Sequence, residues 1–195
     1  MKDSFYYFFS TVPQVLGGVM ALFGVFVIFR IQSIKEQMYL YGKEIMSDFN
    51  YKFLAIDRSE NNKETIKKIF SETYDTLGDC VQLKDFNMMY KIYSNFRKVY
   101  TTIDYGLLNY EKGFFQLYTT FRFLINWAII SSITTGITIL FCISLIPYEK
   151  DLINNQWLLQ KIYLLTVILA VIVFILLIII LIVALKEKKI KYNNL

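Results

Sequence analysis

The sequence predicts an all-α membrane protein with three transmembrane helices and a cytoplasmic helical bundle or hairpin between the first and second. Two observations carry this. Three runs hold no charged residue, Ser4 to Phe29, Phe123 to Tyr148 and Ile162 to Leu185, of 26, 26 and 24 residues. At about 1.5 Å of rise per helical residue, each exceeds the ~20 residues that cross a hydrocarbon core ~30 Å thick. Between the first two runs, apolar residues recur every three or four positions, the period of a helix with one buried face. The 195 residues thus divide into a first span over 4–30, a cytoplasmic helical domain over 31–121, a second span over 122–147, a short external loop over 148–160, a third span over 161–185 and a basic tail over 186–195.

Lys2 precedes the first run, as a basic residue precedes the apolar core of a secretory signal. This run outlasts an h-region of about 7–15 residues and has no small-x-small cleavage site before a polar start, so a retained helix is expected. Within it Ser10, Gln14, Gly17, Ala21 and Gly24 fall at i, i+4, i+7, i+11 and i+14 and share one face. Small residues there let another helix approach closely. Packing against the second or third span is the first expectation, and self-association the alternative. Gln14 lies deep in the span, where an unpaired amide is costly, so it is expected to face protein. Pro13 removes a helical donor and is a candidate kink.

The first helix is expected to continue beyond the span, because Ile34, Met38, Tyr41, Ile45, Phe49, Phe53 and Ile56 keep the helical period as far as Asp57. The polar stretch Asp57 to Asn62 reads as a turn. Ile66, Ile69, Phe70, Thr73 and Leu77 mark a second helix that Gly78 is expected to end. From Phe86 through Met89, Tyr93, Phe96, Tyr100, Ile103, Leu107, Tyr110, Phe114 and Leu117 to Phe121 the period runs without a gap into the second span. Aromatics dominate these positions where a zipper would carry Leu and Ile, which favours a mixed bundle over a coiled coil. Gly106 and Gly113 each cost a helix about 1 kcal/mol relative to Ala and mark a break, a bend or a close contact.

In the second span Ala128, Ser131, Thr135, Thr138 and Cys142 share a face, and Asn126 lies near its inner end. Asn126, Ser131, Thr135 and Thr138 form a polar transmembrane face suited to packing or to lining water. Hydroxyls that bond a carbonyl one turn back make packing the simpler reading. Pro147 closes this span. The third is almost purely Ile, Leu and Val, a lipid-facing anchor. Orientation follows the basic residues near the spans: Arg30, Lys35, Lys43, Lys112, Arg122, Lys186, Lys188, Lys189 and Lys191 on one side, against Lys2, Lys150 and Lys161 on the other. Positive charge favours the inside, which puts the helical domain and tail in the cytoplasm and the N-terminus outside. The four tail lysines are also expected to meet anionic lipid headgroups. Tyr6, Tyr7, Tyr148, Trp157 and Tyr163 then sit at the outer interface and Trp127 near the inner one.

Histidine is absent, and Cys80 and Cys142 are the only cysteines. Zinc sites, Ser-His-Asp triads and disulfide frameworks lose their parts, and the spans hold no ionisable carboxylate or lysine for a proton relay. No cofactor, metal site or catalytic residue is expected. The formal charge of +5 is not gathered into a stripe, since residues 30–122 carry 14 basic and 12 acidic side chains. Nucleic acid is therefore not an expected partner.

The run Ser10-Thr11-Val12-Pro13-Gln14, followed by Gly17-Gly18, by Ala21-Leu22-Phe23-Gly24-Val25-Phe26 and by Arg30-Ile31-Gln32, resembles the first span of assorted uncharacterised bacterial integral membrane proteins. The resemblance covers about 25 residues and implies a protein of the bacterial inner membrane, with no activity attached. The expected function is non-enzymatic: a membrane anchor for a cytoplasmic helical domain that binds a second copy or another protein. An oligomeric pore or membrane-perturbing effector is the alternative, and a membrane enzyme comes third.

Overall fold

The computed structural model describes residues 2–57, 63–99 and 107–185, with side chains described at 4–47, 71–94 and 110–185. Among the described residues the chain is all-helical: α1 (Lys2–Asp57), α2 (Lys63–Gln82), α3 (Phe86–Val99), α4 (Leu107–Leu145), α5 (Glu149–Asn154) and α6 (Gln156–Leu185), with one 3₁₀ turn (Ile146–Tyr148). Three helical stretches are long and apolar enough to cross a membrane, Ser4–Ser47, Tyr110–Asn154 and Gln156–Leu185. The described residues form two compact units, one within 2–31 and 122–185, the other within 32–121.

In the first unit the apolar runs form the N-terminal part of α1, the C-terminal part of α4, and α6. Lipid tails are as apolar as leucine, so packing here rests on close van der Waals contact more than on escape from water. Phe5, Phe9, Cys142 and Leu152 make one buried cluster, and Leu16, Val173 and Leu177 another. Tyr163, expected at the level of the outer headgroups, packs its ring 4.7 Å from Phe8 and 5.3 Å from Phe9 near the start of α1. Pro13 lies inside α1, which runs through it, so the kink expected there does not interrupt the helix.

The loop expected over 148–160 is mostly helix. After Leu145 the 3₁₀ turn takes Pro147 at its start, and α5 follows at once. Asn155 joins α5 to α6: its amide donates to the Leu152 carbonyl, while its side-chain Oδ1 accepts from Leu158 N–H at 3.2 Å and its carbonyl from Leu159 N–H at 3.0 Å. This cap starts α6 at Gln156, five residues before the expected 161. Leu152 anchors the connection by tucking into the Phe5–Phe9 cluster. The third span is also more than an anchor, because Thr166, Val173, Leu177, Ile180 and Ala184 form a buried stripe along it.

In the second unit, Ile34, Met38 and Ile45 of α1 are buried, as their spacing predicts, with Leu77 and Val81 of α2, Phe86, Met89 and Tyr93 of α3, and Phe114 of α4. Phe49, Phe53, Ile56, Ile66, Ile69 and Phe70 lie outside the described side chains. Gly78 does not end α2: it is an interior residue whose missing side chain faces the Met46 tip, and the helix continues to Gln82. The stop is a C-terminal cap instead, in which Asp85 N–H donates to Cys80 O at 2.9 Å and Lys84 N–H to Val81 O at 3.2 Å. Asp85 Oδ1 then accepts from Met88 N–H at 3.0 Å and opens α3. The period that reads as continuous from Phe86 to Phe121 is carried by two helices, α3 and α4, and residues 100–106, with Gly106, lie outside the described residues. Gly113 marks a close contact, since a Cβ there would lie 3.0 Å from the Tyr41 ring.

Candidate functional site

The polar face of the second span is formed by residues one helical turn apart on α4, and its inward members are fully covered: Ser131, Thr135 and Thr138 are buried, as is Cys142. Each threonine hydroxyl returns to its own helix, Thr135 donating to Ser131 O at 2.8 Å and Thr138 to Thr134 O at 2.9 Å. Ser131 and Thr135 also lie 4.0 and 3.9 Å from the thioether sulfur of Met20 on α1, a weak acceptor. These contacts make the face a helix–helix seam. Asn126 belongs to the same helix but is exposed, so it is not part of the seam.

The first span divides differently from expectation. Its packed side carries Phe5, Phe9, Leu16 and Val27, with Val12, Val19, Met20 and Phe23 partly buried. The stripe of Ser10, Gln14, Gly17, Ala21 and Gly24 lies elsewhere. A Cβ added at Gly17 or Gly24 would meet nothing within 4 Å, and Gln14 and Ala21 are exposed. Ser10 bonds back to Tyr7 O at 3.2 Å. Among the described residues, bulky side chains and not this stripe make the intramolecular contacts of the first span, and Gln14 is exposed. The tail lysines Lys186, Lys188, Lys189 and Lys191 lie outside the described residues.

Sequence reading missed two features. Glu111 is buried in the second unit, and Tyr93, read as a core aromatic, buries a hydroxyl that has no partner among the described residues. The Tyr93 ring meets Phe114 edge-on at 5.1 Å. Desolvation first, then the charges of Glu111 and Cys80, raise its ionisation well above that of a free tyrosine. Burial, followed by the negative charges of Asp85 and Asp79, likewise pushes the Cys80 thiol up, which makes it a poor nucleophile. Glu111 could have been noticed as an acid falling one position after Tyr110 in an aromatic helical period. Nothing in the sequence marks the Tyr93 hydroxyl as buried. Among the described residues no group of histidine, cysteine and carboxylate side chains could hold a metal ion.

Comparison with protein-family models, with curated proteins and with solved structures finds no match.

Proposed function

We propose that this chain is a non-enzymatic protein of the bacterial inner membrane that anchors a cytoplasmic helical interaction domain and associates with further copies of itself through the first span. The observation that carries the reading is the free stripe on α1. Gly17 and Gly24 have open space where a side chain would be, and Gln14 is exposed midway along an uncharged run of 26 residues. An amide at that depth has no water to bond, whereas a second copy of the same helix offers both a donor and an acceptor. The helical domain over 31–121 supports the other half of the reading, because its mixed charge suits an aqueous, protein-facing surface. No observation favours the pore alternative, since the hydroxyl face it would use is covered within the chain.

The test is the mass of the protein in lipid nanodiscs and the efficiency of cross-linking in membranes. Gly17→Leu and Gly24→Leu should shift the population toward monomer while keeping or raising thermal unfolding of the single chain, because a Cβ there meets no intramolecular neighbour and the helix loses a glycine. Val15→Leu, exposed but off the stripe, serves as control. If all three variants keep the wild-type mass, the stripe does not mediate association.

A further inference from the structure

Arg30 is the first charged residue after the uncharged run of α1, and it lies within the first unit. Its side chain is not exposed, its Nε is buried, and no acceptor meets it among the described residues. On a helical wheel it falls on the same side as Val12, Leu16, Phe23 and Val27, the packed side, and not with the free stripe. The buried residues toward that end of the unit, Val27, Leu124, Ile180 and Ala184, are all apolar. Half-buried there, the side chain has its Nε removed from water with no acceptor among the described residues, a state that costs stability unless an acceptor is supplied.

The level of the side chain indicates where the anion comes from. Met20 faces Ser131 and Thr135, so α1 and α4 run side by side. Ten residues onward from Met20 is Arg30, about 15 Å along the axis. From the middle of the Ser131–Thr135 pair, eleven residues in the same direction reach Arg122, about 16 Å away. The two arginines therefore bound the apolar layer at one level, the depth of lipid phosphates. Arg122 is exposed and falls on the side of α4 opposite the buried Leu124 and Ser131.

We propose that Arg30 holds the phosphodiester of an anionic phospholipid, seated against the packed side of α1 at the end of the three membrane helices. The planar guanidinium suits two phosphate oxygens at once, and basic residues between membrane helices are recurrent headgroup sites. Arg122, solvated and facing outward, contributes only to the general field of that leaflet. The proposal rests on the three helices lying in a bilayer, and not on self-association or a protein partner.

The experiment is native mass spectrometry of the full chain released from nanodiscs, with phosphatidylglycerol titrated against phosphatidylcholine. Wild type should retain one phosphatidylglycerol per chain in preference to phosphatidylcholine, and Arg30→Gln should lower that retention at least tenfold. Arg30→Lys should keep an intermediate level, and Arg122→Gln should stay within about twofold of wild type, although it removes the same charge at the same depth. Millimolar inorganic phosphate should not displace the lipid. Equal losses in Arg30→Gln and Arg122→Gln would overturn the proposal in favour of a diffuse surface field, and full displacement by phosphate would overturn it in favour of a free-anion site. Unchanged retention in Arg30→Gln would remove it altogether. Recovery of each variant in nanodiscs with unaltered helical circular dichroism separates these outcomes from failed insertion, which would count against the bilayer reading instead.

Discussion

Tyr93 is 2% exposed and leaves its hydroxyl without a partner among the described residues, in a unit where most neighbours are apolar. A buried polar group without a partner costs about 1–3 kcal/mol, so Tyr93→Phe should raise stability by about 1 kcal/mol, read as a higher unfolding temperature in detergent. The sign with pH follows from the raised ionisation. A folded-state value above the unfolded one contributes stability that is complete below about pH 10, the ordinary tyrosine range, and is lost as pH rises beyond it. Tyr93→Phe should therefore flatten the alkaline loss, and an equal loss in both proteins would show that the hydroxyl is not the group responsible. Lys84 is a second local conflict. It takes φ 54° at the cap of α2, where glycine is the usual residue, yet its ammonium lies 5.2 Å from the Tyr39 ring, which Lys43 approaches at 4.7 Å. Left-handed backbone costs a side-chain-bearing residue about 1 kcal/mol, and an exposed cation–π contact returns about 0.5–1 kcal/mol. Lys84→Gly should thus be close to wild type, and Lys84→Ala about 1 kcal/mol less stable than Lys84→Gly. Equal stability of the two variants would mean that the cap is not strained.

At the scale of helices, the glycines fall into two groups that the sequence does not distinguish. A Cβ at Gly42 would lie 2.5 Å from the Met89 tip and 3.2 Å from Val81 Cγ2, whereas one at Gly18 would meet nothing within 4 Å. The methionine can swing aside, but the branched Val81 is stiff, so overpacking of about 1–3 kcal/mol outweighs the ~1 kcal/mol that Ala gains over Gly in a helix. Gly42→Ala should lower the unfolding temperature and Gly18→Ala should keep or raise it. The reverse order would show that α1, α2 and α3 are not in close contact at that point. The extent of α1 to Asp57 and the burial of Ile34, Met38 and Ile45 were legible because a three-to-four spacing has one helical solution. The end of α2 was not. Gly78 carries the usual residue for a helix stop, yet the chain continues because a glycine inside a helix also allows a neighbour to approach, here Met46, and the stop is supplied by backbone bonds around Lys84. Helix α5 was hidden for a related reason, since six residues give too short a period to read and Leu152 is held by Phe5 and Phe9, far away in sequence.

For the whole chain, the three helices able to span a membrane follow from the uncharged runs alone, whereas the face each one packs required the structure. A span bathed in lipid is apolar on every side, so composition does not separate the buried Thr166–Val173–Leu177–Ile180–Ala184 stripe of α6 from its neighbours. The same limit explains Gln14, whose depth says that it needs a partner and not which molecule supplies one. Orientation is the remaining property at this scale, and it rests on charge: nine of the twelve basic residues near the spans fall on the side of residues 31–121 and the tail. The positive-inside rule is strongest for short segments, and here the connection around α5 is short and carries only Lys150 and Lys161. In a background with Cys80 and Cys142 replaced by alanine, a thiol at Asn154, exposed on α5, should react with a membrane-impermeant reagent in cells whose outer membrane has been removed. A thiol at Lys91, exposed on α3, should react only after the inner membrane is opened. Labelling of Lys91→Cys but not Asn154→Cys in closed cells would invert the proposed topology, and with it the leaflet proposed to supply the Arg30 phosphate.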